Sequence, residues 1–299
     1  MNLISSDDFS KEQINRIFEI ADSLNAKKEV ISLKEHTLLT LLYQNSSIRI
    51  KFPLEIAISQ LGGIPINIDM KEWKIDCELC LQDLSKFISS CSDFMAVSLD
   101  NHSDMVKLAN NSNIPVINMS TNLEQPIQAL SDIYTIKEAK RGVKGIKTAF
   151  VGGINSGIVN SFMLFGAKLG MEIALVGAKN QIPNSFYFNK AREFSKVDKY
   201  EDIEEGFSDS DVLYALPFDS AANNNSNWDK IISDYQLNNN HLKYANKNAL
   251  IMRSILIRRN EEISDEVIES SNIIEQQIKN SILIGKALLI YLSGTSEIF

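Results

Sequence analysis

The chain has 299 residues, 44% of them hydrophobic, with 38 acidic against 30 basic side chains and a formal net charge of −8. That balance argues against a nucleic-acid or anionic-membrane surface, since both require basic stripes. Three cysteines are too few for a disulfide framework and fit a reducing cytosol. The opening residues MNLISSDDFSKEQ lack an apolar core, so no signal peptide is expected. No apolar run reaches the roughly 18 residues of a membrane span. A cytoplasmic globular protein is the expectation.

Taken in chain order, the pattern alternates. Phe9, Ile14, Ile17, Phe18 and Ile20-Ala21 recur at helical spacing to about Leu24, with Ser5 or Ser6 as the expected cap. Thr37 to Tyr43 is a buried strand, followed by the polar stretch Gln44 to Ser47. A helix from Ile48 to Leu61 ends at Gly62-Gly63, a C-cap pair. Strands at 64–68, 94–97 and 115–118 alternate with helices at 79–91 and 105–109, and a long helix runs from Pro126 to Ala139. Beyond it the reading is strand 148–151, helix 157–169, strand 172–176, helix 188–196, strands 211–214 and 249–252, and a terminal helix over 277–293. This alternation predicts an α/β fold of two domains, each a parallel β-sheet flanked by helices, linked by the long helix before residue 140. The Asn-rich tract Asn223 to Asn227 reads as a polar loop.

Few motifs carry chemistry by themselves. Gly152-Gly153-Ile154-Asn155-Ser156-Gly157 follows a strand and precedes a helix, but its spacing is GGxxxG instead of the dinucleotide fingerprint GxGxxG. No acid ends the next strand, so a tight strand-to-helix turn competes with nucleotide binding. Cys77 and Cys80 have CxxC spacing without a second pair or a nearby histidine, and read as a chance pair. His36, His102 and His241 lie in separate segments and are expected at the surface. Ser46 to Lys51 is more telling. It sits at a strand-to-helix junction, where first-turn N–H groups and the helix dipole favour an anion and Arg49 and Lys51 add charge.

Several segments together resemble the aspartate/ornithine carbamoyltransferase family. LYQNSSIRIKFPLEIAISQLGG, from Leu42 to Gly63, resembles that family's Ser-Thr-Arg-Thr-Arg phosphate loop, its helix and the closing Leu-Gly-Gly. PVINMSTNLEQPIQALSDIYTIKE, from Pro115 to Glu138, is similar to its Pro-Val-Ile-Asn strand, His-Pro-x-Gln-Ala-Leu-x-Asp motif and bridging helix. Lys144 to Gly153 resembles the strand that opens the second domain. Ser264 to Ile268, with Gln277 and Lys286 to Leu289, resembles the C-terminal segment of the ornithine branch.

The resemblance implies a carbamoyl-phosphate-binding-like domain over 1–132, on which a C-terminal helix at 277–299 packs back, and an amino-acid-binding-like domain over 133–276. It implies a homotrimer with active sites between subunits, carbamoyl phosphate or another small anion and an ornithine-like amino acid as partners, and no metal or organic cofactor. Residue by residue, it assigns phosphate binding to Ser47, Ile48, Arg49, Ile50 and Lys51, catalysis to Arg49, Gln125 and Gln128, and amino-acid binding to Asn160, Ser220 and Ser254.

The departures are specific. Both threonines of the phosphate loop are Ile48 and Ile50, its second arginine is Lys51, and the arginine after the third strand falls at Ser98. The carbonyl-polarising histidine falls at Gln125, which can still donate a hydrogen bond, while Gln128 is retained. The ornithine branch's His-Cys-Leu-Pro becomes Arg253-Ser254-Ile255-Leu256, its acid falls at Leu216, and a late arginine falls at Ser281. The aspartate branch fits less well, its basic positions falling near Gly157 and at Pro217. Two readings follow: a carbamoyltransferase with weak or altered activity, or an inactive family member with a structural or regulatory role.

Overall fold

The computed structural model describes residues 1–26, 32–44, 48–72, 77–218, 228–254, 258–271 and 273–294, with the backbone alone at 48, 49, 77–80, 228 and 229. The chain divides into two compact units, Met1–Tyr134 with Ile278–Phe299, and Thr135–Gln277.

The first unit carries α1 (Lys11–Asn25), β1 (Leu38–Tyr43), α2 (Ile48–Gln60), β2 (Ile64–Asp69), α3 (Cys77–Ser89), β3 (Phe94–Ser98), α4 (His102–Asn110), β4 (Val116–Ser120) and the start of α5 (Pro126–Lys140). Its four strands are parallel in the order β2-β1-β3-β4. β1 and β3 are covered on both faces, which is why they read as unbroken apolar runs. The α2 helix ends in a Schellman motif: Gly62 takes φ +83°, and Gly63 N–H donates to the Ile58 carbonyl at 3.0 Å.

The expected cap of α1 is corrected. Ser10 caps it in a reciprocal box with Gln13, Ser10 N–H donating to Gln13 Oε1 at 2.8 Å. Ser5 and Ser6 belong instead to an N-terminal segment that extends the sheet beside β4. Leu3 N–H donates to the Val116 carbonyl at 2.9 Å, and Asn118 N–H to the Leu3 carbonyl at 2.7 Å.

The second unit holds the rest of α5, then β5 (Lys147–Val151), α6 (Gly157–Lys168), β6 (Glu172–Val176), α7 (Ser185–Arg192), β7 (Val197–Tyr200), α8 (Ile203–Phe207), β8 (Val212–Ala215), α9 (Trp228–Tyr235), β9 (Leu250–Arg253) and α10 (Asp265–Ser270). Its parallel strands run β7-β6-β5-β8-β9. The chain then enters α11 (Ile273–Leu292), which belongs mostly to the first unit. There Tyr291 meets Phe9 edge to face at 5.8 Å.

The predicted helix 188–196 lies earlier, at Ser185–Arg192, because Asn184 accepts from Phe186 N–H at 3.1 Å and starts it there. Sequence reasoning does not find β7, α8, α9 or α10, which are too short for a periodicity to register. His102 and His241 are half-buried instead of exposed. His102 Nδ1 lies 3.0 Å from Thr121 Oγ1, and His241 Nδ1 lies 2.7 Å from the Gln236 carbonyl and must donate to it.

Candidate functional site

Ligands of open parallel sheets bind beyond the carboxyl ends of the strands, where the strand order reverses. In the first unit the chain steps outward from β1 to β2, then returns to the other side at β3. The reversal therefore lies between β1 and β3, whose last residues Tyr43 and Ser98 are register partners. The first turn of α2 rises from the same edge.

A cavity of about 10 Å³ opens there, lined by Tyr43, Ile50, Lys51, Ser98, Met119 and Ser120. That is roughly the room one water requires. Lys51 Nζ donates to the Tyr43 hydroxyl at 3.0 Å and stands 4.2 Å from the ring centroid. Among the described residues this half-buried ammonium has no carboxylate partner. A second cavity of about 10 Å³ lies on the other side of Ile50 and includes Gln128 and Ser281 in its lining. Ile50, 7% exposed, thus separates the Lys51–Ser98 space from the Gln128–Ser281 space.

Gln128 is buried in the first turns of α5, and its Nε2 donates to both oxygens of Asp132 at 3.1 Å. Gln125, partly buried, precedes that helix, and its carbonyl accepts from Ala129 N–H at 3.1 Å. It lines neither cavity. Its neighbour Glu124 is fully buried, and its carboxylate accepts from the Ser5 hydroxyl at 2.5 Å and from Ser6 N–H and hydroxyl at 3.1 Å. Ser47 lies outside the described residues, and Ile48 and Arg49 are described as backbone only.

In the second unit the reversal lies between β5 and β8, where Val151 pairs with Ala215. Gly152 takes φ +114° with the Leu216 carbonyl pressed against the place a Cβ would occupy. Gly153 N–H donates to the Pro217 carbonyl at 3.2 Å. These contacts make Gly152-Gly153 the close strand-to-helix turn that competes with a nucleotide loop. Asn160 is 1% exposed in α6. Leu216, where the resemblance expects an acid, is fully buried. Ser254 N–H donates to the Ala215 carbonyl at 3.2 Å, which puts Ser254 at the same strand edge. Burial, and secondarily the charge of Arg259, pull the pKa of the neighbouring Arg253 down. Ser220 lies outside the described residues, as do the side chains of Cys77 and Cys80. Among the described residues no cluster of three or more His, Cys, Asp or Glu could hold a metal ion, and no helix is long and apolar enough to cross a membrane.

The structure therefore brings Ile50 and Lys51 together with Ser98, sets Gln128 across Ile50, leaves Asn160 buried in α6 and puts Ser254 at the edge of β8. Sequence reasoning misses Tyr43 and Glu124. The signal for Tyr43 was its place as the last strand residue before the loop; no local pattern marks Glu124, whose partners lie 118 and 119 positions away.

Comparison with known proteins bears on both units. The sequence model described as aspartate/ornithine carbamoyltransferase, carbamoyl-P binding domain, matches residues 1–138, and its Asp/Orn binding domain counterpart matches 144–292. The ornithine carbamoyltransferase of Prochlorococcus marinus subsp. pastoris is 32% identical over 295 residues, covering 96% of this chain and 95% of that protein. The one from Methanococcus aeolicus is 30% identical over 306 residues, covering 98% and 99%. Among solved structures, ornithine carbamoyltransferase from Pyrococcus furiosus superimposes with a TM-score of 0.91 at 26% identity, covering 98% of this chain and 97% of that one. The enzyme from Gloeobacter violaceus gives 0.88 at 27%, covering 98% of each.

Proposed function

The chain belongs to the aspartate/ornithine carbamoyltransferase family, and from that premise we propose that it transfers a carbamoyl group from carbamoyl phosphate to the amine of an ornithine-like amino acid, at a rate far below that of an ordinary member. The observation that carries this reading is the Lys51 ammonium, set without a carboxylate partner among the described residues at the carboxyl edge between β1 and β3.

In the proposed assignment, residues 1–132 with 277–299 take the phosphate donor through Ser47, Arg49 and Lys51 and the first-turn amides of α2. Residues 133–276 take the acceptor through Asn160, Ser220 and Ser254. The reaction requires no covalent enzyme intermediate. The amine attacks the carbamoyl carbon and gives up a proton, the carbonyl becomes a tetrahedral oxyanion and re-forms as the C–O bond to phosphate breaks, and the phosphate departs with that proton; the enzyme contributes position and donors for both anions. Gln125 supplies an amide donor to the carbonyl oxygen, and Gln128, braced by Asp132, orients it.

The losses set the rate. Ile48 and Ile50 retain only backbone donors, and Ser98, Gln125 and Ser281 replace two arginines and a histidine. One lost oxyanion donor costs about 100- to 1,000-fold. Citrulline formation from ornithine and carbamoyl phosphate should therefore run at least about a thousandfold below the median enzyme turnover of roughly 10 per second. Turnover of several per second would refute the reduced rate.

A second reading is favoured by Ile50, which leaves about 10 Å³ on either side of it: a non-catalytic family member, with a structural or regulatory role. Thermal unfolding separates the two. A ligand at 100 times its Kd stabilises by about 2.7 kcal/mol, so a clear rise in Tm with carbamoyl phosphate supports the enzyme, and no rise supports the second reading. In either case we place the protein in the cytoplasm as a homotrimer.

A further inference from the structure

The proposed anion site contains a donor that its charged residues do not include. Tyr43 is 8% exposed at the end of β1, and its hydroxyl oxygen accepts from Lys51 Nζ at 3.0 Å. A phenol has one proton as well as its lone pairs. With the oxygen engaged by the ammonium, that proton remains to be given, and no carboxylate contacts the hydroxyl among the described residues. The space beside it is the cavity shared by Tyr43, Lys51 and Ser98. An ammonium donating to the hydroxyl polarises it, and a polarised hydroxyl is a better donor to the next acceptor in the chain.

The register explains why the hydroxyl fits. Tyr43 and Ser98 are paired residues on adjacent parallel strands, so their side chains stand on one face of the sheet. Serine at 98 is short, which leaves the space over that face to the phenol ring and to the Lys51 ammonium lying against it.

We propose that Tyr43 is an anion-binding residue of this site: its hydroxyl, held by Lys51, donates its proton to a phosphate oxygen and supplies the contact that a short residue at 98 leaves unmade. The proposal rests on the reading that this edge takes the phosphate end of carbamoyl phosphate.

The test uses the full chain and two probes, inorganic phosphate and carbamoyl phosphate, titrated by calorimetry. Tyr43→Phe keeps the ring and removes the hydroxyl. It should weaken both probes about tenfold, the size of one hydrogen bond to a charged group, while the chain stays folded and its Tm without ligand falls by no more than the loss of the Lys51–Tyr43 hydrogen bond explains. Adding Ser98→Arg to Tyr43→Phe should recover most of that loss, a recovery that a merely structural hydroxyl would not allow. Unchanged affinity in Tyr43→Phe, or no recovery in the double variant, overturns the role of Tyr43 alone. Absence of binding by the unaltered chain at millimolar concentrations overturns the functional reading, and this proposal with it.

Discussion

Ser6 gives both its backbone N–H and its hydroxyl to one buried carboxylate, that of Glu124, at 3.1 Å. Ser5 adds its own hydroxyl at 2.5 Å, and Glu124 N–H in turn donates to Thr121 Oγ1 at 3.1 Å. The N-terminal segment is thereby tied to the turn that leads into Gln125 and α5. A carboxylate is stable there because several donors replace its water.

Glu124→Ala leaves those donors buried without an acceptor and should cost about 3 kcal/mol or more of stability. Amide exchange at Leu3, whose N–H bonds to β4, should quicken with it. Glu124→Gln keeps one acceptor and should cost less. Urea unfolding reads both; a Glu124→Ala chain within about 0.5 kcal/mol of its parent would contradict the argument.

Gly152→Ala introduces a Cβ at φ +114° against the Leu216 carbonyl. Left-handed strain of about 1–3 kcal/mol adds to an overpacking cost of similar size. A loss of about 3 kcal/mol or more is expected by chemical denaturation. The same substitution at Gly142, also at positive φ but with nothing within 4 Å of the added carbon, should cost only the strain.

Glu262 gives a pH dependence. It is 3% exposed, and burial, ahead of the opposing hydrogen bonds from its own N–H and that of Arg258, raises its pKa above the usual carboxylate value. The folded protein then holds this proton more tightly than the unfolded chain does. Its contribution to stability is complete below the unfolded pKa of about 4.3 and is lost as pH rises through the folded value. Glu262→Gln mimics the protonated form while keeping an acceptor for Arg258 N–H, so at neutral pH its Tm should exceed that of the parent. The gap should close as pH falls toward about 4. A gap independent of pH would count against it.

Assembly is checked by light scattering. Phe52 in α2 and Ile64 and Ile66 in the edge strand β2 are 55%, 44% and 38% exposed. An exposed apolar edge strand is a liability unless it is covered, and a second copy of the chain is the proposed cover. Three chains of 33.6 kDa give a particle of about 100 kDa under closed symmetry. Phe52→Asp with Ile66→Asp should shift it toward the monomer mass.

The proposed low rate has a direct test in substitution. Ile48→Thr, Ile50→Thr, Ser98→Arg and Gln125→His together should raise citrulline formation by about 100-fold or more, while each alone should do little, because such groups act as a unit. A single restoration as effective as all four would rule out that coupling.

Much of the fold is legible in the sequence because its strands are covered on both faces. Glu172–Val176 is read to the residue, and β1 and β5 to within one. Edges and short pieces are not. Val197–Tyr200 is only four residues, Val-Asp-Lys-Tyr, without apolar alternation at a sheet edge, and Ile203–Phe207 is barely more than one turn. The site divides the same way. Lys51 is read from the strand-to-helix junction and Gln128 only through the family resemblance, whereas the reach of Tyr43 to Lys51 depends on the climb of α2 from the strand end. The link from Glu124 to Ser5 and Ser6 spans most of the first unit, where no periodicity records it.

The boundaries between the two units fall inside helices, at Tyr134/Thr135 within α5 and at Gln277/Ile278 within α11. The second unit is one uninterrupted stretch of chain, but the first includes residues from both ends. During synthesis at about 5–20 residues per second, the N-terminal unit therefore emerges first and yet cannot be completed until α11 leaves the ribosome. Leu54 and Ala57 of α2, against which Gly285 of α11 packs so closely that an added Cβ would come within 3.3 Å of both, wait uncovered for that time. The later-made unit can finish folding before the earlier one, and a chain truncated after residue 277 would lack part of its first unit instead of a separable tail.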